Sequence, residues 1–175
     1  TGGTRMTSIW QRCRDRATSS LRRHQKVRKP DGTPDVLRIV ADKAAQHAAQ
    51  IADLLAEPQV ERSPDGVLAF DREYRYTMWN AAMERLSGVE KAAVLGRSAL
   101  EVFPFLLIIG EDTYWMKVLA GQATEARHRP FSIPQTGREG YFDAWYLPLR
   151  DQSGTIVGIL AVIRDVSARQ QARQC

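Results

Sequence analysis

Between positions 34 and 57, Leu37, Val40, Ala44, His47, Ile51 and Leu54 recur at alternating steps of three and four residues, the spacing of a single helix face. Thr33 suits the N-cap of this helix, Pro34 its first position and Asp35 the positive end of its dipole, while Pro58 ends it. At about 1.5 Å per residue the helix is roughly 35 Å long, more than a small domain needs to close itself. It is predicted to form a short coiled coil or to lie on a sheet. His47 reads as an interfacial imidazole rather than a ligand or phospho-acceptor, because no acidic or metal-binding neighbour flanks it.

From Ser63 the chain reads as strand, turn, strand. Positions 67–70 and 76–79 read as strands around a polar turn at 71–74. Asn80 is predicted to cap a helix over 81–86 that ends at Ser87 and Gly88, and a second helix over 90–95 ends at Gly96. A third begins at 98–102 and is interrupted by Pro104; Glu111 and Asp112 open a fourth over 113–120, closed by Gly121. On that helix Trp115, Val118 and Leu119 share a face predicted to point at a sheet. Positions 123–133, 141–150 and 155–164 are the remaining strands, with 134–140 as a loop. Two strands, a group of short helices and three more strands make an α+β pattern.

Asp151-Gln152-Ser153-Gly154 offers a hairpin loop between the last two strands. After them come Arg164, Asp165, Val166 and Ser167, where Ser167 is predicted to cap a new helix with Gln170 completing a capping box. Alternation along the last strand sends Val157, Ile159, Ala161 and Ile163 to one face and Ile156, Leu160 and Val162 to the other, joined there by Trp145 and Leu147. Apolar area left in water costs roughly 25 cal/mol per Å², so this second face needs a cover. The helix over 34–57, from the same chain or a second copy, is the candidate. A homodimer is expected, with Leu37, Val40, Ala44, Ile51, Leu54, Trp145, Leu160 and Val162 at its interface.

Composition narrows the class. The 175 residues, 43% of them apolar, allow one domain with a core plus about one extra element. The apolar run at 103–109 falls far short of the ~20 residues of a spanning helix, and no signal-peptide core lies near the start, so membrane insertion is not expected. The net charge of +5 is unevenly placed: positions 1–29 hold nine Lys/Arg against Asp15, which leaves the remainder at −3. Residues 1–30 are expected to be a disordered basic arm, and nucleic-acid binding rests on that arm alone. Cys13 and Cys175 show no metal-ligand or disulfide spacing, which points to a reducing, cytoplasmic setting. His24, His47 and His128 are scattered, and no catalytic set or phosphate-cradling Gly loop accompanies them, so no enzyme is expected.

The motifs Ser63-Pro64-Asp65-Gly66, Trp79-Asn80, Gly96-Arg97-Ser98, Gly154-Thr155-Ile156-Val157-Gly158 and Arg164-Asp165-Val166-Ser167, in this order and spacing, resemble those of a PAS domain. The resemblance covers roughly residues 60 to 172. It implies a five-stranded antiparallel sheet with short helices over one face, preceded here by the long amphipathic helix. The expected organisation is an arm at 1–30, that helix at 31–60, the PAS domain at 61–166 and the start of a signalling helix at 167–175.

By the same resemblance, aligned on the turn at Thr136 and Gly137 and on Pro148, the ligand cavity would be lined by His128, Ser132, Phe142, Ala144, Tyr146, Ala161 and Ile163, with Trp115 closing over it. Alternation would turn His128 inward and Arg127 and Arg129 outward. The position of the reactive cysteine of light-oxygen-voltage flavoproteins holds Ala99, and the helix that carries the haem histidine in other members has none, only Met116. Flavin-thiol chemistry and His-ligated haem are therefore disfavoured, and an unknown small molecule is the expected ligand. Arg164, Asp165 and Ser167 would relay a signal to an output domain, in the first instance a histidine kinase whose catalytic segments lie outside this chain, less so a diguanylate cyclase or transcription regulator. Two other functions compete: a ligand-free homodimerisation module, and nucleic-acid binding through the basic arm.

Overall fold

Five strands form one antiparallel sheet in the order β2-β1-β5-β4-β3, with β1 at Gly66–Asp71, β2 at Tyr76–Trp79, β3 at Thr124–Ile133, β4 at Arg138–Arg150 and β5 at Ile156–Asp165. This computed structural model describes Pro34 and residues 58–174. The basic arm, most of the helix over 34–57 with Leu37, Val40, Ala44, His47, Ile51 and Leu54, and both cysteines lie outside the described residues. A short helix α1, Pro58–Glu61, precedes β1. Between β2 and β3 come α2 (Ala81–Ser87), α3 (Lys91–Val94), α4 (Ala99–Val102), α5 (Phe105–Ile108) and α6 (Asp112–Leu119), and α7 (Ser167–Gln174) follows β5. Among the described residues no helix is long and apolar enough to cross a membrane.

Asn80 shows why the chain turns where it does. Its Oδ1 accepts from Val67 N at 2.9 Å and Met83 N at 3.0 Å, and its Nδ2 donates to Val60 O at 2.9 Å and Asp65 O at 3.2 Å. One fully buried amide thus caps α2 and ties it to the entry of the sheet. At the other end of α2, Gly88 takes φ +73 and returns its N–H to Glu84 O, the left-handed cap a side chain would strain.

The sheet separates two cores. On the helix side pack Phe70, Trp79, Trp115, Tyr146, Ile159 and Ile163; on the other side pack Val60, Val67, Met78, Trp145, Leu160 and Val162. The alternation read from β5 is therefore present. Its second face is covered, as its apolar character requires: Leu160 and Val162 are 0% and Trp145 is 6% exposed within the single chain. These three residues present no open surface that calls for a second copy.

Three further expectations change. Phe105–Ile108 forms α5, since Pro104 occupies the N-cap, where its fixed φ is helical and its missing N–H costs nothing. The loop over 134–140 shrinks to a tight turn, in which Thr136 N and Gly137 N both bond Ile133 O and Gly137 takes φ +69. Strand β3 carries a bulge: Ala126 pairs with Ala144 but Arg129 pairs with Phe142, so β3 holds one residue more than β4 across that step.

Candidate functional site

The bulge decides which side chains reach the interior. One extra residue reverses the phase of the alternation, so Arg129, Phe131 and Ile133 face the helices, whereas simple alternation sends His128 there. His128 sits at φ +53, its side chain 44% exposed. The buried Asp143 carboxylate fixes this conformation, accepting from His128 N at 2.8 Å and from Arg127 Nη1 at 3.1 Å. Ser132 falls on the opposite face from Phe131 and Ile133. Neither His128 nor Ser132 lines the interior cavity.

That cavity, about 60 Å³, lies between the sheet and the helices. Trp115, Phe142, Tyr146 and Ile163, named from the sequence, all line it, together with Phe70, Tyr76, Trp79, Met83, Phe103 and Phe131. Ala144 and Ala161 are buried in the same core without reaching the cavity surface. Met116 is 61% exposed and points away from it. Trp115 packs edge to face on Phe70 at 4.8 Å and on Tyr146 at 6.3 Å, while the Trp79 and Phe103 rings stack. Among the described residues no group of three His, Cys, Asp or Glu is placed to hold a metal ion.

Behind Tyr146 lies a buried ionic cluster that sequence reasoning missed. Glu111, 0% exposed, accepts from Tyr146 Oη at 2.6 Å and from Arg129 Nε at 2.8 Å. Arg129 also donates to Ile109 O at 2.6 Å, and its guanidinium sits 5.3 Å from the Tyr114 ring centroid. Burial pushes the Glu111 carboxyl above the usual range, with the Arg129 charge and the two hydrogen bonds pulling against it. Burial also drives the Tyr146 phenol well up, and the Glu111 charge adds to the rise. The Trp115 indole N–H is near enough to oppose that rise slightly, but its Nε1 is buried without a hydrogen-bond partner. In the sequence Glu111 reads only as an acidic helix opener, and nothing local links it to Arg129, 18 residues away.

The cavity borders the end of the sheet directly. Phe142 and Ile163 line it, and Phe142 pairs with Asp165 while Ala144 pairs with Ile163. One residue beyond, Val166 N donates to Tyr141 O at 2.9 Å and Tyr141 N donates to Ser167 Oγ at 3.0 Å. Ser167 is thus not the cap of α7 but its first residue, its hydroxyl turned back onto β4. Asp165 Oδ1 accepts from Ser167 N at 2.8 Å instead, a carboxylate at the positive end of the helix dipole. Arg164 forms a two-pronged pair with Asp65, Nε to Oδ1 and Nη2 to Oδ2 both at 2.9 Å, and lies 5.5 Å from the Trp145 ring centroid. It therefore ties β5 to the loop before β1, on the outer side of the sheet. Of the three residues expected to relay a signal, Asp165 and Ser167 hold α7 and Arg164 holds the sheet's entry.

The family described as the PAS fold matches residues 60–171. Over 117 residues the chain is 23% identical to the signal transduction histidine-protein kinase AtoS of Escherichia coli strain K12, covering 66% of this chain and 18% of that protein. The chain thus spans less than a fifth of that relative. Among solved structures, the PAS domain of a protein from Colwellia psychrerythraea matches with a TM-score of 0.53 at 17% identity, over 63% of this chain and 93% of that one. An RNA-binding light-oxygen-voltage receptor matches with a TM-score of 0.56 at 18% identity, over 86% of this chain and 39% of that one. At such identities the structural likeness carries the fold and nothing finer.

Proposed function

This chain belongs to the PAS-fold family, and from that premise we propose that it is a sensory module whose inner cavity takes a small molecule and whose last two strands pass the change to α7. In the longer protein α7 leads to a histidine-kinase output on the cytoplasmic side, where such an output meets ATP. The kinship with a histidine kinase over the PAS segment supports that assignment.

One juxtaposition supports the relay. Phe142 and Ile163 touch the cavity, and the residues that clasp α7, Tyr141 on one side and Val166 and Ser167 on the other, are next to them in the same two-strand ladder. A ligand that displaces the Phe142 ring moves Tyr141 without any intervening element. The relay is a population shift between clasped and released α7, and a tenfold shift requires a differential affinity of about 1.4 kcal/mol. Homodimerisation is kept as part of the proposal on the seam Leu37, Val40, Ala44, Ile51 and Leu54; light scattering at micromolar concentration that returns a monomer removes it.

The relay is tested by amide hydrogen exchange on the full chain. A ligand found by thermal-shift screening is expected to change protection across Ser167–Gln174 at least threefold. Saturation of the cavity with unchanged exchange there refutes the relay.

A further inference from the structure

We infer that the ligand enters the cavity beneath α5, and that Arg129 is the positioning residue that keeps this wall closed. The inference deepens the sensory reading above and rests on its premise that the cavity takes a small molecule. Of the residues that line the cavity, only Leu86 at the end of α2 and Phe105 on α5 are part-exposed; the others are buried. The cavity therefore comes nearest to solvent at these two walls.

The two walls are held differently. Asn80 fixes the start of α2, and its end is bonded to the turn between β3 and β4: Thr136 Oγ1 donates to Ser87 O at 2.9 Å, and Arg138 donates to Arg85 O. Helix α5 has a single tether of that kind. Among the described residues, the hydrogen bonds of positions 104–110 stay between 103 and 113 except for one, from Arg129 Nη2 on β3 to Ile109 O at 2.6 Å. Phe105 and Leu106 line the cavity, while the outer side of α5 is bare, Leu107 being 56% and Ile108 68% exposed. Gly110 follows at φ +74 with nothing within 4 Å of the position a Cβ would take, a backbone with room to turn. A few residues of this kind absorb the rotation when a wall opens.

Glu111 aims the tether. Its Oε2 accepts from Arg129 Nε at 2.8 Å and its Oε1 from Tyr146 Oη at 2.6 Å, and Tyr146 lines the cavity. The planar guanidinium reaches Glu111 and Ile109 O from one rigid fork, which a lysine ammonium does not reproduce. Arg129→Lys thus keeps the charge opposite Glu111 and loosens α5.

The test uses the full chain, with benzene as a compact uncharged probe for the apolar lining. Arg129→Lys is expected to speed amide exchange at Leu106, Leu107, Ile109 and Gly110 at least about tenfold, with changes below about threefold in α2 and β5. The same variant should raise the association and dissociation rates of benzene together by about tenfold, leaving Kd within about threefold. Both rates rising at constant affinity marks a door; a residue that only supports the fold would change the affinity, or exchange across the whole sheet. Thr136→Val, which cuts the tether of α2, should leave both benzene rates within about threefold of wild type. If Arg129→Lys does not fold, the unaltered chain and Thr136→Val decide: the α5 amides must exchange at least about tenfold faster than those of α2, and the benzene rates must ignore Thr136.

Unchanged α5 exchange or unchanged benzene rates in Arg129→Lys, benzene rates raised by Thr136→Val, or no entry of benzene overturns the inference. The relay is judged separately by exchange at α7. Benzene rates governed by Arg129 with α7 unchanged support the entry and defeat the relay. An altered α7 with benzene rates indifferent to Arg129 defeats the entry and supports the relay.

Discussion

Replacing Arg129 by Met isolates the energetics of the buried cluster behind the cavity. The substitution keeps an apolar stem of similar length but removes the cation 2.8 Å from Glu111 Oε2 and the donor to Ile109 O. The two side chains are 12% and 0% exposed, so solvent screening does not dilute the loss as it would at a surface. Removing one partner of such a pair leaves an uncompensated buried charge and costs about 3–5 kcal/mol, a large part of the 5–15 kcal/mol typical of a domain.

The cost depends on pH in a definite direction. Glu111 already titrates above the usual carboxylate range because it is buried, and Arg129 is the first influence that opposes the rise. Without Arg129 the folded-state value climbs further, so the folded chain holds its proton more tightly than the unfolded one. The variant is then closest to wild type below about pH 4.3, the ordinary Glu value, and loses up to about 1.36 kcal/mol per pH unit as pH rises toward the folded-state value. Urea unfolding followed by tryptophan fluorescence at pH 4.5, 6 and 7.5 measures the gap. It is expected to widen with pH, and Glu111→Gln in the Arg129→Met background should flatten it and restore part of the stability. A gap that stays constant or narrows as pH rises refutes the assignment of the buried charge to Glu111.

Asn80→Ala removes an N-cap, worth about 1 kcal/mol, and strands Val67 N–H and two carbonyls at about 1–3 kcal/mol for each group left unsatisfied; denaturation should show a loss of about 3 kcal/mol or more, and a loss below 1 kcal/mol would contradict the bonding described. Gly140→Ala would place a methyl group inside contact distance of Ser167 Oγ, so α7 should exchange its amides faster while the protection of β1 and β5 stays as in wild type; unchanged α7 exchange would show that the Ser167 clasp on β4 is not what holds the helix. Tyr146→Phe deletes a hydrogen bond to a charged group, worth about 1.5–3 kcal/mol, and calorimetric unfolding at pH 7 should register that loss; a neutral result would mean that Glu111 is satisfied without the phenol.

The elements readable from the chain were those whose signals are local. The cap at Asn80, the left-handed Gly88 and the polar turn before Gly154 carry their geometry within a few residues, and each appears where the pattern puts it. The face of β5 that carries Ile163 was legible too, because an uninterrupted strand keeps period two. The same rule failed on β3: a bulge inserts one residue, and the buried Asp143 carboxylate that stabilises it comes from the neighbouring strand. His128 and Ser132 were placed inward for that reason, and Arg129 outward. Ser167 misled in a related way, since a serine at a helix start has two places to put its hydroxyl, and the edge of β4 wins over the helix's own N–H groups.

Sequence alone determined the order of the strands, the alternation along unbroken ones and the family, because each depends on residue type and spacing within one segment. Tertiary structure decided the Glu111, Arg129 and Tyr146 cluster, the unpaired Trp115 indole and the clasp of Tyr141 on Ser167. These join residues 18 to 35 positions apart, and a buried polar group acquires its energy only from the partners and the low dielectric that folding brings around it.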